Sequence, residues 1–146
     1  MFRTLPALAL IMTLGAPAFA DGVVTYTTAD AFADATFALE NAITEKGLVI
    51  DSVSHTGEML ERTKADVGGT MTLFTEADVF SFCSAALSRK VMEADPMNIR
   101  FCPYDVFVMQ RPGEPVMIGY RAFPDGAMQE VQALLDGIAR AAAGVE

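Results

Sequence analysis

Two cysteines, Cys83 and Cys102, are the residues of this sequence best suited to covalent or metal chemistry. Cys83 precedes Ser84 where a predicted strand gives way to a predicted helix, and the positive end of a helix dipole lowers the pKa of a thiol placed there. Cys102 lies between Phe101 and Pro103, close to the start of the next predicted strand. The pair is therefore a candidate for disulfide formation, for thiol redox chemistry, or for binding a thiophilic metal or haem.

Three interpretations of this pair stay open at the level of sequence. A structural disulfide would close a loop of about 20 residues and stabilise the fold by roughly 3 kcal/mol. The alternatives are a functional redox or ligand site and two inert buried thiols. A bridge needs Cα atoms within about 7 Å, so Cys83 and Cys102 can meet if their strands are antiparallel but not if they are parallel. The sequence has no Cys-x-x-Cys motif of the thioredoxin type.

His55 is the only histidine, which excludes every metal site built from several histidines. It lies at the junction of a predicted strand and helix, and Met59 follows four residues later. Imidazole, thioether and thiol groups together suit copper(I) or haem, so His55 and Met59 join Cys83 and Cys102 as candidate ligands. The alternatives are a surface histidine bonded to its own turn and a methionine that fills the core.

Three arginines complete the candidate residues. Arg62 and Arg89 each lie four residues from a glutamate, and surface ion pairs on helices explain them. Arg121 is on a predicted hairpin strand, where an inward-facing guanidinium needs a partner or binds an anion. The sequence has no phosphate-binding glycine loop, no serine-hydrolase motif and no His-Glu-x-x-His. We therefore assign no catalytic residue and favour a protein that is not an enzyme.

The first 20 residues have the pattern of a secretory signal peptide. Arg3 provides the positive start, and the apolar run Leu5–Leu14 is too short to span a bilayer of roughly 30 Å. Ala18–Ala20 supplies the small residues that a signal peptidase requires. We expect cleavage before Asp21 and a periplasmic location, and no later segment is apolar enough to span a membrane.

The charge of the chain restricts its partners. The full sequence has a net charge of −9, and because the predicted signal peptide carries only Arg3, residues 21–146 would carry −10. Nucleic acids and anionic lipid surfaces need a basic face, so the negative charge argues against both as partners. The length of this segment is typical of one domain.

The hydrophobic pattern predicts the element order β-α-β-α-β-α-β-β-α. We predict strands at 23–27, 48–53, 79–83, 99–110 and 115–122, and helices at 30–46, 57–65, 84–94 and from 124 onward. Pro103 interrupts the fourth strand, and Pro112 with Gly113 predicts a type II turn before the fifth. The expected fold class is α+β, with a mixed or antiparallel sheet and helices packed on one face.

Several short segments have the residues, order and spacing of a known family. They are Ser54–Thr63, Phe82–Ser84, Ser88–Pro96, Phe101–Tyr104 and Gly119–Arg121. Over about 36–122 the chain resembles family 302 of the domains of unknown function, in a periplasmic, proteobacterial-type branch. Ser84-Ala85 stands where many members have Asn-Pro. The resemblance implies a small α+β domain, often a homo-oligomer, and it implies no activity.

The leading hypothesis is a non-enzymatic periplasmic domain that binds a small ligand, a metal or haem, or serves as an accessory protein. Its site would lie at the strand–helix junctions, around His55, Met59, Cys83 and Cys102. The first alternative is a thiol redox protein that uses Cys83 and Cys102. The second is a structural or oligomerising domain, in which these residues can be replaced without loss.

Overall fold

The computed structural model describes residues 18–20 and 22–145, and within them one antiparallel sheet carries two long helices. The strands are β1 Ala18–Ala20, β2 Val23–Thr28, β3 Val49–Ser54, β4 Glu76–Cys83, β5 Tyr104–Gln110 and β6 Val116–Arg121. The helices are α1 Phe32–Glu45, α2 Thr56–Thr63, α3 Ala85–Ala94 and α4 Gln129–Ala143, with a 3-10 helix at Pro96–Phe101. The strand order is β1-β2-β6-β5-β4-β3, and every neighbouring pair is antiparallel. The predicted α+β class is confirmed.

One face of the sheet carries the core. Val24, Tyr120, Val106 and Phe80 form one row across β2, β6, β5 and β4, and all four side chains are buried. Helices α1 and α4 pack against each other and over this face, burying Leu39, Ile43, Leu135 and Ile138 among others. The strand residues that alternate with these buried ones point to the other face of the sheet, and most of them are half-buried or exposed. The second face of the sheet is therefore open. The strands alternate as expected for a sheet with one covered face.

The segment before β5 differs from the predicted strand 99–110. Residues Pro96–Phe101 form the 3-10 helix, and the strand begins only at Tyr104. Asp95 starts this helix by accepting the backbone N–H of Met97 at 2.9 Å. The buried Asn98 side chain then donates to a carbonyl of α3 at 2.8 Å. The prediction was wrong because these local bonds outweigh the β propensity of the apolar residues.

The start of the last helix was also predicted too early. Helix α4 begins at Gln129, not near Pro124. The Gln129 side chain donates to the carbonyl oxygens of Phe123 at 2.9 Å and Pro124 at 3.1 Å, and Gln132 accepts the N–H of Phe123 at 2.8 Å. These bonds hold the preceding segment in a turn against the helix.

The predicted hairpin turn between β5 and β6 is present. The N–H of Glu114 donates to the carbonyl of Arg111 at 3.1 Å, and Gly113 has a φ of 77°. Of the predicted signal peptide, residues 1–17 lie outside the described residues, while β1 pairs with β2. Among the residues that are described, no helix combines the length and apolar character needed to cross a bilayer.

Candidate functional site

Antiparallel pairing brings the two cysteines together. Phe82 lies opposite Tyr104 in the β4–β5 register. Cys83, the last residue of β4, is therefore close to Cys102, which lies two residues before the start of β5. The Sγ atoms of Cys83 and Cys102 are 3.2 Å apart. A disulfide bond is about 2.0 Å long, so the two sulfurs would close with a relative shift of about 1 Å.

Helix α3 supplies the polar surroundings of the pair. The Ser88 hydroxyl lies 3.5 Å from Cys102 Sγ and 3.0 Å from the hydroxyl of Tyr104. Ser84 caps the helix as predicted, because its hydroxyl accepts the backbone N–H of Leu87 at 3.3 Å. Both cysteines are half-buried, so part of each residue is exposed to solution.

The thiol of Cys83 does not have the low pKa that its place before a helix predicted. Burial, followed by the hydrogen bond and the charge of Cys102, raises its pKa from the ordinary 9.0 to about 11. The expectation was wrong because burial disfavours the charged thiolate, and this outweighs the hydrogen bond with the Tyr104 backbone, which lowers the pKa. At neutral pH Cys83 is therefore a protonated thiol and a slow nucleophile.

His55 and Met59 lie away from the cysteines. His55 Nδ1 is 2.8 Å from Asp78 Oδ1, and this hydrogen bond, followed by the Asp78 charge, raises the pKa of His55. Asp78 precedes Cys83 by five residues, roughly 16 Å along an extended strand. Met59 is exposed on α2, with its sulfur 4.0 Å from the Thr63 hydroxyl. The structure thus brings together only the two cysteines of the four candidate ligands.

Few of the described residues could together hold a metal ion. The described part of the chain has no cluster of three or more His, Cys, Asp and Glu side chains that could hold an ion. Any soft-metal site built on the candidate residues would have the sulfurs of Cys83 and Cys102 as its protein ligands.

Two of the three candidate arginines are on helices. Arg89 pairs with Glu93 at 2.5 Å on the surface of α3, as predicted. Arg62 makes no ion pair within residues 18–20 and 22–145, although it lies in a groove with His55 and Glu58.

Arg121 lines a cleft on the open face of the sheet, which we call the open-face cleft. Its volume is about 490 Å³, and Arg100, Cys102, Asp105 and Phe107 also line it. From the sequence we singled out Arg121 and Cys102 as candidate site residues but assigned no role to the other three. Arg100 was assigned to a strand, whereas it belongs to the 3-10 helix whose chain leads directly to Cys102.

A family model described as a domain of unknown function, DUF302, matches residues 24–143. The chain belongs to the DUF302 family. The resemblance predicted from the sequence is thereby confirmed, and the DUF302 match extends beyond it at both ends.

One solved relative supports the fold of this DUF302 domain. The crystal structure of an uncharacterized conserved DUF302 protein from Bacillus stearothermophilus matches with a TM-score of 0.61 and 16% sequence identity. The match covers 86% of this chain and 95% of that one. At this identity the similarity shows the fold alone. No curated protein matches the sequence.

Proposed function

We propose that this DUF302 protein is an exported, non-enzymatic domain in which Cys83 and Cys102 form a reversible dithiol–disulfide couple. The observation that carries the proposal is the separation of 3.2 Å between their sulfur atoms. Export is the expectation from residues 1–20, and an oxidising compartment outside the cytoplasm allows disulfides to form and persist.

The redox step balances with a disulfide as the oxidant. Attack of one cysteine thiolate on that disulfide forms a mixed disulfide and releases the first thiol of the oxidant, and the second cysteine then attacks the sulfur of the first and releases the other thiol. Formation of the Sγ–Sγ bond thus transfers two electrons and two protons from the two protein thiols to the oxidant, which becomes two thiols. The raised pKa of Cys83 keeps its thiolate fraction small at neutral pH. Attack by Cys83 on the oxidant is therefore slow at neutral pH.

The bond would have a local structural effect. It would join the end of β4 to the residue just before β5 and enclose α3 and the 3-10 helix in one covalent loop. Closure of a loop of about 20 residues stabilises a fold by roughly 3 kcal/mol. Oxidation would thus make the α3 segment more resistant to local unfolding than it is in the dithiol form.

A soft ion held by the two sulfurs is the second candidate. Thiolates select copper(I) among the available ions, and the pair already presents two sulfurs on one site. His55 and Met59 would not contribute, because both lie near the opposite end of β4. Haem would have to use the same pair and finds no imidazole beside it.

A redox titration tests the proposal. The purified protein is equilibrated in glutathione buffers of graded potential, alkylated under denaturing conditions, and weighed intact. A reversible transition from two adducts to none, at a potential above roughly −300 mV, supports the couple. A transition below roughly −300 mV indicates a permanent structural bridge and contradicts the proposal. Cys102→Ser is the control: its single thiol, Cys83, has no second cysteine to pair with, so it cannot lose its alkyl adduct through an intramolecular disulfide at any potential.

The alkylating reagent also distinguishes the redox couple from the copper-binding alternative. Reduced protein is mixed with copper(I) before alkylation. Protection of both thiols by copper(I), together with failure of the pair to oxidise in the glutathione buffers, would favour the ion-binding function over the redox couple.

A further inference from the structure

We propose that the open-face cleft binds a small carboxylate that has an apolar body. The cleft lies between the start of β2, the end of β6, the start of β5 and the 3-10 helix. Its volume of about 490 Å³ is within the range of roughly 300 to 1,000 Å³ that is usual for small-molecule sites. The inference does not rest on the redox couple, because the binding groups it uses are arginines and apolar side chains.

The charge of the cleft is opposite to that of the protein. The whole chain has a net charge of −9, yet the cleft is lined by two guanidinium groups, Arg100 and Arg121, and one carboxylate, Asp105. Neither arginine makes an ion pair within the part of the chain that the structure describes. The planar guanidinium fork matches the geometry of a carboxylate and binds it through two parallel hydrogen bonds.

The two arginines approach the cleft from different elements. Arg121 ends β6, and its backbone pairs with Val23 of β2, which fixes its position at the rim. Arg100 comes from the 3-10 helix, where its guanidinium lies 4.5 Å from the centroid of the Phe101 ring and donates to the Met97 carbonyl at 3.2 Å. A carboxylate between them would meet a positive group on each side.

The floor of the cleft is apolar. Phe107 lies opposite Gly119 in the β5–β6 register, and its ring covers the space that a side chain at residue 119 would occupy. Val79 flanks it on β4. On the other side Phe101 packs edge-to-face on Phe123, with ring centroids 5.5 Å apart. These surfaces would bury the apolar body of a ligand whose anionic end is held by the arginines.

Asp105 restricts the charge of the ligand. Its carboxylate accepts the Ser81 hydroxyl at 2.5 Å and lines the cleft. A dianion such as phosphate is repelled more strongly by this carboxylate than a monoanion is. The expected ligand class is therefore a monocarboxylate with an aromatic or aliphatic body.

Binding is tested by following backbone amide chemical shifts during titration of the reduced protein with phenylacetate. Benzyl alcohol serves as the uncharged analogue and inorganic phosphate as the anion without an apolar body. We expect phenylacetate to shift the amides of Val23, Phe107 and Arg121 and to bind more tightly than either comparison compound. The absence of saturable shifts at these residues, or equal binding of phosphate, would overturn the proposal.

Variants assign the effect to the arginines. Arg121→Gln and Arg100→Gln should each weaken phenylacetate binding about 10-fold, because each removes a charge-assisted hydrogen bond. Arg89→Gln is the matched control, since Arg89 pairs with Glu93 on the helix surface, and its affinity should equal that of the unsubstituted protein. Because both arginine variants are measured, the test still gives a result if one of them fails to fold. Unchanged affinity in both would contradict the site.

Discussion

Tyr120 donates its hydroxyl hydrogen to Asp136 Oδ1 at 2.8 Å, which ties β6 to helix α4. Tyr26 of β2 donates to the same oxygen at 2.5 Å. Burial, followed by the hydrogen bond and charge of Asp136, raises the pKa of both phenols, so both remain donors over the physiological range. One carboxylate on α4 therefore fixes the helix to the two strands beneath it.

Removal of this carboxylate should destabilise the protein. Asp136→Ala leaves two phenolic donors without their acceptor, and we expect the free energy of unfolding to fall by about 2 to 4 kcal/mol. Chemical denaturation measures the change. Asp125→Ala removes an exposed carboxylate that makes no side-chain hydrogen bond or ion pair within residues 18–20 and 22–145, and it should have no measurable effect. Equal stability of the two variants would show that the tyrosine–aspartate contacts contribute nothing.

Two glycines should respond to alanine with opposite signs. A Cβ atom at residue 119 would lie 2.5 Å from Phe107 Cζ and 2.8 Å from the Val24 carbonyl oxygen, so Gly119→Ala should cost about 1 to 3 kcal/mol. A Cβ atom at residue 137 would meet nothing within 4 Å, and this position is inside α4. Gly137→Ala should therefore stabilise the protein by about 0.5 to 1 kcal/mol.

Thermal or denaturant unfolding of the two variants in parallel provides this measurement. A Gly119→Ala protein as stable as the parent would mean that Phe107 moves away from β6 without loss. That result would remove the apolar floor assigned to the open-face cleft.

The contact between His55 and Asp78 should make stability depend on pH. Asp78 raises the pKa of His55 above its ordinary value of 6.5 in the folded protein. The contribution of the pair to stability is therefore full below that value and is lost as the pH rises through the raised pKa. The difference in unfolding free energy between the parent and His55→Gln should be larger at acidic pH than at alkaline pH.

NMR titration of this single histidine gives a direct readout. The imidazole of the parent should titrate above 6.5, and Asp78→Asn should lower its pKa. A parent value at or below 6.5, or no change in Asp78→Asn, would show that the 2.8 Å contact does not persist in solution.

Local sequence patterns predicted much of the fold. Helix α1, the turn at Gly113 and the final hairpin follow from apolar periodicity and turn chemistry, which act over a few residues. The 3-10 helix was missed because its Asn98 side chain is satisfied by a carbonyl of α3, a contact that no periodicity reports.

The candidate site depended on long-range pairing. The sequence identified Cys83 and Cys102 as a pair, but their contact requires that β4 and β5 be antiparallel, which the sequence left open. The raised pKa of Cys83 arises from burial by distant segments, whereas the prediction used only the adjacent helix. From the sequence we placed His55 and Met59 with the cysteines because all four follow or flank strand–helix junctions. The β3–β4 register instead places His55 and Met59 toward the other end of β4.

Intact-mass analysis of the protein, exported to an oxidising compartment and alkylated under denaturing conditions without reductant, tests the central claim most directly. Cys83 and Cys102 supply the only thiols in the sequence. The account predicts a species without adducts that is two hydrogens lighter than the dithiol form, and two adducts once glutathione has reduced it. Two adducts on the unreduced protein would show that the sulfurs stay free despite their contact, and would contradict the dithiol–disulfide couple.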